Sequence, residues 1–509
     1  MAATSHPLAT GSAIEVLRAG GSAADAAVTA VAVLSVVEPH MTGIGGDCFC
    51  LVSKAGAPAW GYNGSGRAAA AVRAETLIDQ GIKEIGFDSV HAVTVPGAVE
   101  AWAAILRQFG HFGLDRALAP AIHYAEHGFP VGQRVAYDWA RAAERLRADQ
   151  GARRHYLVDG QPPAFGDVIR LPALAATLRA IATEGPDALY QGAIAADIVD
   201  SLRARGSLLD YQDFARHRGE AAPPIASNYR GLDVLEMPPN TQGLAALVLL
   251  NILEGFDLAR LDPTGPERFH IALEAARLAY AVRNSHIADP PFMATSVPAL
   301  LDKAFARSLA ERIDRRQRVV LPAAPVPGSD TVYVSVVDRD RMAVSLINSL
   351  YEPFGVGIAT VRSGVLLQNR GACFVVDPGH PNSIGPGKRP LHTIIPSLGM
   401  RQGRCELCFG VMGGAFQVMG HAHVLSNMID FGMDVQQAID VPRAFFDQAT
   451  VQVERGVPAA TLQGLRERGH AVAVRDLPLG GGQVIQVDWD RGVLIGGSDA
   501  RKDGLALGY

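Results

Sequence analysis

The ten residues LPAAPVPGSD (321–330) hold three prolines and a glycine, and they separate two textures of sequence. Proline lacks a backbone N–H and fixes φ, so this run continues neither a helix nor a central strand. It reads as an exposed connection. Directly after it come TVYVSVVD and MAVSLINSLY, two β-prone runs joined by a short charged turn, the pattern of a hairpin.

Ahead of the connection the chain is helix-rich. Ser22 is placed to cap AADAAVTAVAVLSVV, and PGAVEAWAAILRQFG (96–110) sets Val99, Trp102, Ile105, Leu106 and Phe109 at helical spacing. Residues 189–205 and 265–284 carry similar patterns, and 301–320 is a charged helical stretch. Beyond the hairpin, strands are predicted at GVLLQN, LHTIIPSLGM, CELCFGVM, VQV and GGQVIQVDWD, with a helix over AFQVMGHAHVLSNMIDFG. The last third is therefore sheet-dominated with helices laid against it, an α+β pattern. With 509 residues and no fixed-period repeat, one globular body with a deep site is expected.

Several functional classes are disfavoured. The balance of 46 basic and 51 acidic residues, with no Lys/Arg block, argues against nucleic acid as a partner. The N-terminus lacks the features of a secretory signal, and the longest apolar run, residues 26–37, falls short of the ~20 residues that cross a bilayer. A cytoplasmic protein with no membrane association is expected. Five cysteines, an odd and sparse count, do not make a disulfide framework. The C-x-x-C pair Cys405 and Cys408 lacks a second pair for zinc, and His421 and His423, two apart, do not share a helix face. Neither metal nor cofactor is expected. In GYNGSGR the nucleophile pattern G-x-S-x-G is broken at Asn63 and Arg67. TGIGGDCF (42–49) lacks the lysine of a phosphate loop and reads as a tight turn.

Thr331 remains. As an internal residue opening a strand it is ordinary, since β-branched residues favour strands. Cleavage of the Asp330–Thr331 bond would change its chemistry, giving one residue both a hydroxyl and a free α-amine. With a reference pKa of about 7.7–8, that amine can take the hydroxyl proton near neutral pH.

The rest of the chain favours the second possibility. HPLATGSAIEVLRAGGSAADAAVTAVAVLSVVEPHMTGIGGD, TVPGAVEAWAAILRQFG, TVYVSVVDRDRMAVSLINSLYEPFGVGI, GVLLQNRGACF, GPGKRPLHTIIPSL, MGGAFQVMGHAH and GSDARKDGLALGY occur in an order that resembles the γ-glutamyltransferase family of N-terminal nucleophile hydrolases from end to end. The resemblance implies a four-layer αββα sandwich and a precursor that cleaves itself between Asp330 and Thr331. The pieces 1–330 and 331–509 would stay together as a heterodimer, and further dimerisation is open. It implies Thr331 as nucleophile, Ser349 at the place of a second hydroxyl that contacts it, and Gly413 and Gly414 as the backbone donors for an oxyanion. The implied partner is a small-molecule amide, with water or another amine releasing the acyl group.

The departures concern the substrate. Where relatives hold the γ-glutamyl α-carboxylate with an arginine, this chain has Asn63 or, aligned from the other side, Ser65. Tyr351 stands for an asparagine, and Arg370 and Cys373 replace the glutamine and aspartate that hold the α-amino group. His392 and Thr393 replace paired serines, and 374–390 is shorter than the lid loop of long-lidded relatives, which implies a more open site. An arginine facing the site suits a carboxylate held bidentately; the alternative is a structural ion pair. These features resemble the branch with oxamate amidohydrolases and cephalosporin or glutaryl acylases. The expected substrate is an amide whose acyl part bears a carboxylate and needs no α-amino group. An uncleaved, non-catalytic relative and a metal-dependent amidase using His421, His423, Cys405 and Cys408 are the competing readings.

Overall fold

The computed structural model describes residues 1–319, 330–447 and 450–509, so the connection 321–329 lies outside the described residues. The helix Ala23–Val37 begins in a reciprocal cap: the Ser22 hydroxyl accepts from Asp25 N–H, and the Asp25 carboxylate accepts from Ser22 N–H. Every residue in it is buried. It is apolar all round, so it packs against the strand Asp330–Val337 on one side and the helices Pro7–Arg18, Ala98–Phe109 and Leu114–His127 on the others.

That helical layer covers an antiparallel seven-stranded sheet in the order Leu505–Leu507, Ala2–Thr4, Asp330–Val337, Ala343–Tyr351, Asp47–Ser53, Trp60–Gly64, Glu220–Ala221. A six-stranded antiparallel sheet lies behind it: Val493–Ser498, Gly481–Asp488, Arg404–Met412, Ser397–Arg401, Leu232–Glu236, Ile225–Tyr229. The helices Gly243–Leu253, Pro266–His286 and Gln417–Ile429 bury the outer face of this second sheet. The result is an αββα sandwich, the α+β class expected. Strands from before and after Thr331 interleave in both sheets, so residues 1–330 and 331–509 share their cores and are not separate domains.

The structure corrects three local expectations. GVLLQN forms no strand: the N–H groups of Leu367, Gln368 and Asn369 donate to Ile358, Gly45 and Leu350, three different segments, so no ladder develops. In LHTIIPSLGM the strand starts only at Ser397, after Pro396, which cannot donate to a ladder. The helix expected over 301–320 is limited to Lys303–Ala310, capped by the Asp302 carboxylate.

Candidate active site

The strand Asp330–Val337 directs Tyr333 and Ser335 between the sheets. Ser335 Oγ donates to Cys408 O at 3.0 Å, and the Tyr333 ring lies on Gly410, where a Cβ would come within 2.4 Å of it. Moving two residues back along one strand therefore moves two residues forward along the other. Thr331 lies on the same face of its strand as Tyr333 and Ser335, and the facing strand ends at Met412, followed by Gly413 and Gly414.

Those two glycines have φ of 131° and 54°, conformations that L side chains rarely adopt, and they turn the strand into the helix Gln417–Ile429. Gln242 braces the turn. Its Nε2 donates to Gly414 O at 2.8 Å and to Thr393 O at 2.6 Å, while Arg283 Nη1 donates to its Oε1 at 2.8 Å. Gln242 thus links the turn to the other side of the site, and sequence reasoning missed it.

Thr331 is 1% exposed, and its Oγ1 lies 3.1 Å from Ser349 Oγ. Eighteen residues separate them in sequence, and the hairpin closes that gap. The ladder between the hairpin strands is irregular from Asn348 to Tyr351, and Tyr351 has φ 85°, which turns its N–H onto Ser349 Oγ at 2.8 Å. Arg370 Nη2 reaches the same oxygen at 3.3 Å, and Arg370 Nη1 donates to Thr393 Oγ1 at 2.7 Å. The guanidinium stacks over the Tyr351 ring, with Cζ 4.1 Å from its centroid. Arg370 is fully buried, its Nε is unpartnered, and among the described residues no carboxylate lies within 4.0 Å of it. Its hydrogen bonds go to the Ser349 and Thr393 hydroxyls, and it forms no ion pair among the described residues.

The remaining sequence candidates take different places. Cys373 stands beside the Tyr351 hydroxyl; burial, followed by that thiol, pushes the phenol pKa well above its usual value. Asn63 belongs to a closed network, donating to Asn240 Oδ1 at 2.9 Å and accepting from Ser65 Oγ at 2.7 Å. Asn240 O in turn accepts from His392 N–H. His392 is wholly buried with its Nε2 3.1 Å from Asp47 Oδ2; burial and then the Arg370 charge lower its pKa to about 3, so the ring is neutral. Asp47, opposite Ser349 in the sheet, was read from sequence only as part of a turn.

The more open site expected from the short segment 374–390 is not seen in the intact chain, where Thr331, Ser349 and Arg370 are buried. Met412, Gly413, Glu352, Arg141, Arg145 and Lys502 are among the residues that line a cleft of about 730 Å³. His421 Nδ1 bonds Glu236 Oε1 at 2.7 Å, whereas His423 Nδ1 meets Arg268, so the two rings serve different structural contacts. Cys405 and Cys408 are buried in their strand. Among the described residues no group of three or more His, Cys, Asp or Glu could hold a metal ion, and no helix is long and apolar enough to cross a membrane.

Comparison with known proteins agrees with this architecture. Residues 9–509 match the model of the gamma-glutamyltranspeptidase family. The chain is 38% identical to a glutathione hydrolase-like YwrD proenzyme of Bacillus subtilis, covering all of this chain and 98% of the relative. It is 34% identical to the oxamate amidohydrolase proenzyme of Klebsiella pneumoniae, again over all of this chain and 98% of the other. A crystal structure of cephalosporin acylase from Bacillus halodurans superposes with a TM-score of 0.93 at 39% identity, covering 99% of this chain and 94% of that one. The chain belongs to the gamma-glutamyltranspeptidase family.

Proposed function

We propose that this chain is a self-processing amide hydrolase. Cleavage of the Asp330–Thr331 bond yields two pieces that remain associated and gives Thr331 a free α-amine beside its hydroxyl. The amine takes the hydroxyl proton, directly or through water, and Oγ1 attacks the amide carbonyl. Gly413 and Gly414 N–H groups stabilise the oxyanion. The leaving amine takes the proton and departs through the cleft bordered by Gly413, and water then hydrolyses the acyl ester. Ser349 Oγ accepts N–H groups from Tyr351 and Arg370 and lies 3.1 Å from Thr331 Oγ1, so the two hydroxyls are placed to share a proton.

The observation that carries the substrate reading is Arg370. A fully buried guanidinium with no carboxylate partner among the described residues keeps its desolvation cost until an anion arrives. Arg370 stands two hydrogen bonds from the nucleophile, through Ser349. The acyl group is therefore short and ends in a carboxylate. The names of relatives, an oxamate amidohydrolase and an acylase, support a non-glutamyl acyl group.

The test is a panel of oxamate, succinamate, glutaramate and γ-glutamyl anilide, with denaturing gels of the wild type and Thr331→Ala. Two bands are expected for the wild type and one, near 53.8 kDa, for an inactive Thr331→Ala. Faster turnover of the short acids is expected. A marked preference for the γ-glutamyl compound refutes the substrate reading, and cleavage of Thr331→Ala at the same bond refutes the mechanism.

A further inference from the structure

The three segments that form the acyl side of the site come from distant parts of the sequence, and one carboxylate joins them. Asp47 Oδ1 accepts from Gly66 N–H at 2.9 Å, Gly97 N–H at 3.1 Å and Gln368 Nε2 at 2.9 Å, while Oδ2 faces His392 Nε2 at 3.1 Å. Gly66 follows Ser65, Gln368 precedes Arg370 by two residues, and His392 precedes Thr393. Across the sheet Asp47 pairs directly with Ser349 on the adjacent strand. The side chain has no exposure to solvent.

We propose that Asp47 is a positioning residue that sets the acyl pocket: through Gln368 and His392 it fixes Arg370 and Thr393 relative to Ser349 and Thr331. Four N–H groups converge on this carboxylate, so it holds its neighbours without binding substrate itself. The ring of His392 carries the coupling. Ile394 N–H donates to Nδ1 at 3.4 Å, so the ring proton sits on Nε2 and points to Asp47. Thr393, one residue on, accepts from Arg370, so displacement of the ring is transmitted to the guanidinium. This role rests on the reading of Arg370 given above.

The experiment compares Asp47→Asn with the wild type, using histidine-selective 15N labelling and kinetics on a carboxylate-bearing amide. An asparagine can present only one acceptor oxygen. That oxygen stays with Gly66, Gly97 and Gln368, and its amide N–H then meets His392 Nε2. The expected result is a change of His392 from the Nε2–H to the Nδ1–H tautomer. With it, KM rises roughly tenfold to a hundredfold while kcat changes less than about threefold. A merely structural role would lower the melting temperature and leave the tautomer and the KM/kcat split unmoved.

If Asp47→Asn does not fold, His392→Gln and His392→Leu decide. Gln retains a donor to Asp47 and an acceptor for Ile394, so its KM is expected roughly tenfold below that of Leu. Equal KM values for Gln and Leu, or an unchanged tautomer and KM in Asp47→Asn, overturn the proposal. A wild type that hydrolyses no carboxylate-bearing amide refutes the reading of Arg370 and leaves the tautomer to decide the role of Asp47.

Discussion

Replacing Arg370 by Met separates function from stability in a direction that a structural arginine would not allow. The guanidinium has no exposure, donates to two neutral hydroxyls at 2.7 and 3.3 Å, and lies 4.1 Å above the Tyr351 ring. Hydrogen bonds to a charged group contribute about 1.5–3 kcal/mol each, and a buried cation–π contact about 2 kcal/mol. Against these stands a desolvation cost of several kcal/mol for a buried ion without a counter-charge in contact. Methionine matches the length of the aliphatic stem and removes that cost. The terms nearly cancel, so Arg370→Met is expected to fall within about 2 kcal/mol of the wild type in stability. At about 2.1 cal/mol/K per residue, that is a change of about 2 °C in midpoint for a chain of this length. The rate on carboxylate-bearing amides is expected to fall a hundredfold or more, because the truncation removes the partner of the acyl carboxylate. The assay is thermal unfolding of both proteins with and without a short dicarboxylate, beside steady-state kinetics. The dicarboxylate raises the midpoint of the wild type and leaves Arg370→Met unmoved, since only a ligand bound to the native state stabilises it. A loss above about 4 kcal/mol with kinetics intact would identify Arg370 as a structural residue and refute the reasoning.

Two further outcomes follow from the packing. A Cβ at Gly410 would lie 2.4 Å from the Tyr333 ring, whose hydroxyl is held by Ser345, so Gly410→Ala is expected to cost about 1–3 kcal/mol in urea unfolding and to slow the appearance of the two pieces on a gel; unchanged stability and cleavage would show that the sheets do not register through this contact. His6, His217 and His392 have pKa values lowered from 6.5 to about 4, 4 and 3, chiefly by burial. The unfolded chain binds these protons first, so stability is complete above about pH 6.5 and declines toward pH 4. At pH 5.5 each histidine accounts for about 1.4 kcal/mol, and a flat urea midpoint between pH 7.5 and 5 would contradict the assignment.

What the sequence discloses here follows from the range of the interaction. The cap of Ser22 on Asp25, the apolar helix behind it and the hairpin after Asp330 are local, and each has a period or a cap to read. The neighbourhood of Thr331 and Ser349 follows from the hairpin once the resemblance points to those residues. GVLLQN misleads because an apolar run of that length fits an irregular buried segment as well as a strand. Asp47, Gln242 and Asn240 leave no such mark. Asp47 meets His392 across 345 residues and Gln368 across 321, and Gln242 meets Gly414 across 172, so no spacing rule connects them. A polar residue in a glycine-rich turn looks like turn chemistry until the fold buries it.

The same long-range contacts explain why the buried acid Asp47 is a poor partner for a glutamyl α-ammonium. An α-ammonium needs a carboxylate with a lone pair to offer, and Asp47 is a candidate by charge alone. Its two oxygens already accept from Gly66, Gly97, Gln368 and His392, so an ammonium could bind there only by displacing one of these donors inside a closed core. Such displacement leaves a buried N–H unpaired, at a cost of about 1–3 kcal/mol. Arg370 has the opposite character: it is cationic, incompletely bonded, and joined to Ser349 beside Thr331. Of Asp47 and Arg370, then, the one with bonding capacity left is the cation, so on the reading proposed above a short acyl group ending in carboxylate would be met by a counter-charge and a γ-glutamyl ammonium would not. If the proposed substrate holds, discrimination between the two would arise as much from the repulsion and saturation that meet the ammonium as from the attraction that meets the carboxylate.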